Sequence, residues 1–205
     1  MRIRKALVAA ALATAGPTLA GCGGHRQTAT SRPGPPHWVT HADPVALLPR
    51  PGEVRAVIRH ASATNRYDQA LSPTTVNASF GRASSEAVKL ASGAAELSVT
   101  GPAGSQLYAQ VFVFKTLAGA SSLTSAFLRR TQLSHPAQAS SGAPGEQGRA
   151  SRQTYGRGDV SFRYAFREQN VLCLVELDGP RRRYTLSDAL TVAGAANRYI
   201  TSTGS

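Results

Sequence analysis

At 205 residues the chain has room for one domain with accessory segments and little room for two. Hydrophobic residues make up 41% and aromatics only 6%, so a packed core would consist mainly of small aliphatic side chains. The net charge is +12, and all but three of the 23 basic residues are Arg, a bias that a GC-rich genome produces without functional demand. A basic surface favours anionic lipid or acidic envelope polymer as a partner; the plainer reading is a basic surface with no particular ligand.

Arg2, Arg4 and Lys5 precede a run of small and apolar residues from Ala6 to Ala15, which Gly16 and Pro17 end. The run is too short to span a bilayer and has the proportions of a secretory signal, so residues 1–21 read as a leader. The segment Leu19-Ala20-Gly21-Cys22 resembles the lipobox of bacterial lipoproteins. That resemblance implies diacylglycerol on the Cys22 thiol, cleavage before Cys22, and often a further acyl chain such as palmitate on the new amine. The alternative is ordinary signal cleavage with Cys22 incidental. Two or more acyl chains, at about 0.8 kcal/mol per buried methylene, hold a protein stably at a membrane. No later segment reaches the ~20 apolar residues of a transmembrane helix, so lipid would be the anchor, on the outer face of the cell membrane. Export makes nucleic acid a poor partner.

Residues 22–42 read as the lipidated Cys followed by a tether, with Gly23, Gly24, Pro33, Gly34, Pro35 and Pro36 among polar residues. His37 and His41 there read as solvated linker histidines, and Trp38 as resting on the domain or the membrane. A single domain is expected over residues 43–205. Residues 53–67 predict a helix with Val54, Val57, Ile58 and Ala61 on one face. Residues 72–95 are undecided, with 85–90 fitting a helix or a strand equally. Strands at 96–100 and 106–115 flank the turn Gly101-Pro102-Ala103-Gly104. A helix is expected over 118–133 and a polar loop over 134–152.

Residues 160–167 alternate, with Val160, Phe162, Tyr164 and Phe166 on one side and Ser161, Arg163, Ala165 and Arg167 on the other. After a turn at 168–170, residues 171–177 form an apolar run expected of a central strand buried on both faces. Cys173 lies within it and reads as a small buried hydrophobe, inert because apolar surroundings raise a thiol pKa. Thr185 and Asp188 resemble a capping box for a last helix with Ala189, Val192, Ala193, Ala196 and Ile200 on one face. The predicted class is α+β, an antiparallel sheet covered on one face by two helices.

The run Val111-Phe112-Val113-Phe114-Lys115-Thr116 before a Gly-Ala helix, and Phe166-Arg167-Glu168-Gln169-Asn170-Val171-Leu172 before a closing helix, resemble a pattern in small envelope lipoproteins of high-GC Gram-positive bacteria. The resemblance covers residues 97–201 and implies a fold of the Mog1/PsbP kind and a role in binding lipids or sensing envelope ligands. It transfers no functional residue.

Catalytic motifs are missing. Gly119-Ala120-Ser121-Ser122-Leu123 lacks the closing glycine of a nucleophile elbow, and neither a Ser-x-x-Lys nor a His-Glu-x-x-His motif occurs. His60 and His135 have no adjacent carboxylate. Glu176 and Asp178 share one strand side, as a solvated edge or a carboxylate pair. Gly156-Arg157-Gly158-Asp159 reads as a turn. The remaining candidate is Arg181-Arg182-Arg183 ahead of the last helix, an anion-binding cluster or a solvated loop. No metal or cofactor is expected. Two functions follow: a non-catalytic envelope lipoprotein binding a lipid, glycan or protein, or an envelope hydrolase or transferase with an unfamiliar site.

Overall fold

The computed structural model describes residues 38–39, 43–130, 136–137, 142–156 and 158–203. Cys22, His37, His41, His135 and Arg157 lie outside them. A 3-10 turn (Pro44–Leu47) leads into α1 (Pro51–Val57), β1 (Ala63–Asp68), α2 (Asn77–Phe80), α3 (Ser84–Leu90), β2 (Ala91–Thr100) and β3 (Gln106–Phe114). Then come α4 (Leu117–Arg130), β4 (Pro136–Ala137), β5 (Gln147–Thr154), β6 (Asp159–Glu168), β7 (Val171–Pro180) and α5 (Leu186–Thr203). The strands form one seven-stranded sheet in the order β1-β2-β3-β7-β6-β5-β4. Every neighbouring pair is antiparallel. The class is α+β, with β7 in the middle, as its continuous apolar run requires.

Two helices do not share one face. Val171, Cys173, Val175 and Leu177 of β7 pack with Ala189, Val192, Ala193, Ala196 and Ile200 of α5, together with Val54 of α1. Leu172 and Leu174 of the same strand face the other way, into a cluster with Phe80, Leu123 and Phe127 from α2 and α4. Successive side chains on a strand point to opposite faces, so a strand apolar at every position needs cover on both. In the second cluster Phe80 meets Phe112, Phe114 and Phe127 edge-on, at ring-centroid distances of 4.9, 6.4 and 5.8 Å.

Two further expectations change. The helix expected over 53–67 ends at Val57, and His60, at φ 59°, reverses the chain into β1. The three apolar positions Val54, Val57 and Ile58 supply less than two turns of core-facing stripe. Beyond them a period of two takes over. Arg66 turns inward, where Nη2 donates to Val45 O at 2.6 Å and Leu48 O at 3.2 Å, and Tyr67 points outward. Asn65-Arg66-Tyr67 lies in a strand and its repeat Asn197-Arg198-Tyr199 in a helix, so the two copies share no structural role. The loop expected over 134–152 contains most of β5, a near-edge strand whose polar sequence hides its period. Gly148 of β5 lets the Tyr164 ring cross it: a Cβ there would lie 2.1 Å from the phenol oxygen.

Residues 85–90 resolve as helix, within α3. Thr185 and Asp188 cap α5 as the spacing suggested: Thr185 donates through N at 2.7 Å and Oγ1 at 2.8 Å to Asp188 Oδ2. The packed domain also takes in Val39, inside the stretch read as tether, which is buried in the α5-side core. No helix among the described residues is long and apolar enough to cross a membrane.

Candidate functional site

The face of the sheet that meets α2, α3 and α4 is only half covered. Near α4 it presents Ala94, Phe112, Leu172, Leu174 and Ala165, all buried. Ser79 of α2 closes over Gln110, donating to its side chain at 2.9 Å. One step further along every strand the residues turn polar. Asn65, Ser98, Tyr108, Glu176, Arg163 and Ser151 stand side by side across β1, β2, β3, β7, β6 and β5. Asn65 is exposed, Ser98, Tyr108, Glu176 and Arg163 are half-buried, and only Ser151 at the far side is buried. The next row contains Thr100, Gln106, Asp178, Ser161 and Gln153, with Thr100 and Gln106 exposed.

Two groups of side chains organise this face. Glu96 accepts from the phenols on both sides of β2, Tyr67 at 2.5 Å and Tyr108 at 2.6 Å. Tyr67 is 46% exposed, so its ring is presented on the surface with its hydroxyl fixed. The carboxylate keeps both phenols protonated: its hydrogen bond pushes the Tyr67 pKa up, and burial followed by the same carboxylate pushes Tyr108 up further. Beside them Arg163 pairs with Glu176 at 2.5 Å, and Ser161 donates to the same carboxylate at 3.1 Å. Each carboxylate of the pair Glu96 and Glu176 is thus compensated within the face. The arrangement offers an aromatic surface, fixed acceptors and amide groups, which suits a polar ligand recognised by hydrogen bonds.

The residues singled out in the sequence fall elsewhere or act differently. Arg181, Arg182 and Arg183 form the exposed turn after β7, at the end of the sheet towards which the polar rows lie. The backbone holds the turn: Arg181 N donates to Gly158 O at 3.0 Å and Arg183 N to Pro180 O at 2.8 Å. The Arg183 guanidinium lies 6.0 Å from the Tyr184 ring centre. The start of α5 carries its own carboxylate, Asp188, so the helix terminus is already complemented. Glu176 and Asp178 do not act as a pair: Glu176 is engaged by Arg163, and Asp178 Oδ1 is buried with no hydrogen-bond partner. His60 is exposed at its turn. Cys173 is fully buried, and burial pushes its thiol pKa up. Among the described residues no three His, Cys, Asp or Glu side chains group as metal ligands. Glu96, Tyr67 and Tyr108 were not singled out by sequence, because only the register of three strands brings them together.

No protein-family model matches the chain. No curated protein matches its sequence. Among solved structures the fold is similar to the extracellular domain of PknH from Mycobacterium tuberculosis, with a TM-score of 0.55 and 13% sequence identity. The match covers 77% of this chain and 94% of that one, so the chain has the fold of a domain that works outside the cell in that protein.

Proposed function

We propose that the chain is an exported lipoprotein, acylated on Cys22 and held on the outer face of the cell membrane, whose α+β domain binds an envelope ligand without catalysing a reaction. The observation that carries the binding role is the half-covered sheet face, where Tyr67, Glu96, Tyr108, Arg163 and Glu176 lock one another into place. Side chains fixed in advance lose little entropy when a ligand arrives, which favours recognition. Each of the two carboxylates at its centre is hydrogen-bonded or ion-paired within the face, an arrangement suited to binding. Export is supported by residues 1–22 and by a fold shared with an extracellular domain. The Arg181–Arg183 turn offers a second contact, for an anionic lipid or an acidic envelope polymer.

Mass spectrometry of the mature protein tests the anchor: acyl mass on Cys22 is expected, lost together with cleavage in Cys22→Ala, and an unmodified Cys22 in wild type refutes it. The face is tested by screening the purified protein against defined envelope glycans and lipids. Any ligand found should bind more weakly to Tyr67→Ala and Glu96→Gln. A ligand that both variants bind as wild type does would place the site elsewhere.

A further inference from the structure

Ahead of its first strand the chain is held at one end of the sheet, and the arginine turn lies at the other end. Val39, the last described residue before the domain proper, is 1% exposed and held by the side chain of Asn170 in the turn between β6 and β7. Arg181, Arg182 and Arg183 follow the other end of β7, ten residues away. At about 3.3 Å per strand residue the two poles are roughly 30 Å apart. In sequence, Cys22 lies 16 residues before Trp38.

The pole at Asn170 has a surface suited to a membrane. Trp38, the one tryptophan of the sequence, is 38% exposed there. Lys115 and Lys89 are exposed at the same end of the sheet, joined where Lys115 Nζ donates to Lys89 O at 2.7 Å. Of the acids at this pole, Glu146 is paired with Arg167, and burial pushes the pKa of Glu168 up. Tryptophan favours the headgroup level of a bilayer, and lysine can lay its stem along apolar surface with its charge in water. At the opposite pole the three guanidiniums are exposed, and none is ion-paired among the described residues. The nearest acid in sequence, Asp178, lines a hollow with Ala103, Gly104, Tyr155 and Asp159, and Asp188 is taken up by Thr185.

We propose that the domain stands with its Asn170 pole on the membrane and its Arg181–Arg183 turn facing outward, where the turn binds a polyanionic envelope polymer and not the lipid of the anchoring membrane. The proposal rests on acylation of Cys22. In that orientation the guanidiniums stand roughly 30 Å from the headgroups. Planar guanidinium forks match carboxylate and phosphate groups, and three of them on one turn suit a polymer that repeats such groups.

The test uses the full lipidated protein in phosphatidylcholine vesicles, after acyl mass on Cys22 has been verified; no acyl mass would remove the anchor reading and this proposal with it. Trp38 fluorescence should be quenched by lipids brominated on their acyl chains. A dye on Ser187→Cys, one turn beyond the arginines, should escape a quencher carried on the headgroups, with 30% phosphatidylglycerol in the vesicle as without it. Soluble poly-glutamate should then bind, less tightly as salt rises, and at least about tenfold more weakly to the triple variant R181A/R182A/R183A, while Trp38 stays quenched. A Ser187 dye quenched as strongly as Trp38 would overturn the orientation. Equal binding of poly-glutamate by wild type and triple variant would overturn the partner.

Discussion

The side-chain amide of Asn170 closes a two-way pair with the backbone of Val39: Val39 N donates to Oδ1 at 3.0 Å and Nδ2 donates to Val39 O at 2.9 Å. The same Nδ2 donates to Phe114 O at 2.7 Å, and Asn170 O accepts from Phe114 N at 2.9 Å. One half of this turn is therefore a buried junction between the chain entering the domain, the end of β3 and the start of β7.

Asn170→Ala would leave the Val39 N–H, the Val39 carbonyl and one bond to the Phe114 carbonyl without their partner. Each buried polar group stranded in this way costs about 1–3 kcal/mol, less where water can enter. We expect a loss of about 3 kcal/mol in urea unfolding. Hydrogen exchange should show the Val39 amide losing its protection ahead of β7. Asn170→Asp should be nearly as damaging at neutral pH, since a carboxylate cannot donate to either carbonyl. A stability within 1 kcal/mol of wild type in both variants, about the effect of an ordinary substitution, would mean the junction is not needed.

Gly148 and Tyr164 should be energetically coupled. The Tyr164 hydroxyl donates to Pro144 O at 2.7 Å and occupies the space a Gly148 side chain would need. Gly148→Ala alone forces the ring or the strand aside and should cost about 2 kcal/mol, within the range for overpacking. Tyr164→Phe alone loses one hydrogen bond and should cost about 1 kcal/mol. Removing the phenol oxygen also relieves the closest clash, so the double variant should be more stable than the two losses added. A double-mutant cycle by urea unfolding checks this, and strict additivity would contradict the overlap.

Cys173 should behave as a small core residue. Its side chain is fully buried between β3 and β6, whose Val111 and Phe166 lie opposite it. Cys173→Ala should cost about 1 kcal/mol or slightly more, because little volume is removed. A thiol reagent should label the folded protein at Cys173 only as fast as it unfolds. Labelling within seconds under native conditions would show that the β7 core opens readily.

The parts of the fold legible in the sequence were those where one chain segment carries its own pattern. β6 alternates, β7 is apolar throughout, and α5 repeats its buried residues every three or four positions, so each was assigned from its own residues. β1 and β5 are not legible because their polar residues give no strong hydrophobic period: β1 is an edge strand with no buried residue among those described from 64 to 68, and β5 lies beside the short strand β4. The placement of the helices was implicit in β7, since a strand buried on both faces cannot belong to a sheet covered on one. The candidate face was illegible for a different reason. Tyr67, Glu96 and Tyr108 lie on three strands, and a shift of one residue in either pairing would turn a member to the opposite face.

The Tyr–Glu–Tyr bridge predicts how the protein should respond to alkali. Burial and the Glu96 carboxylate raise the pKa of Tyr108 above its unfolded value near 10. A group raised in this way stabilises the fold fully while it is protonated in both states, that is, below about pH 10. Above that value the unfolded chain gives up its proton first, and stability falls until the folded phenol ionises too. The loss is at most about 1.4 kcal/mol per pH unit for each such group, and less for phenols that keep some water. Tyr164, pushed up to about 12 by burial, and Cys173, raised for the same reason, add to the slope, the thiol beginning nearer pH 9. Urea unfolding at pH 7, 8, 10 and 11 should therefore give a plateau over the first two values and a fall over the last two. Tyr108→Phe removes one contributor and should lower the plateau by about 1 kcal/mol while making the fall shallower. If that variant kept the wild-type slope between pH 10 and 11, the phenol would not be held protonated by the fold, and the bridge to Glu96 would not form in solution.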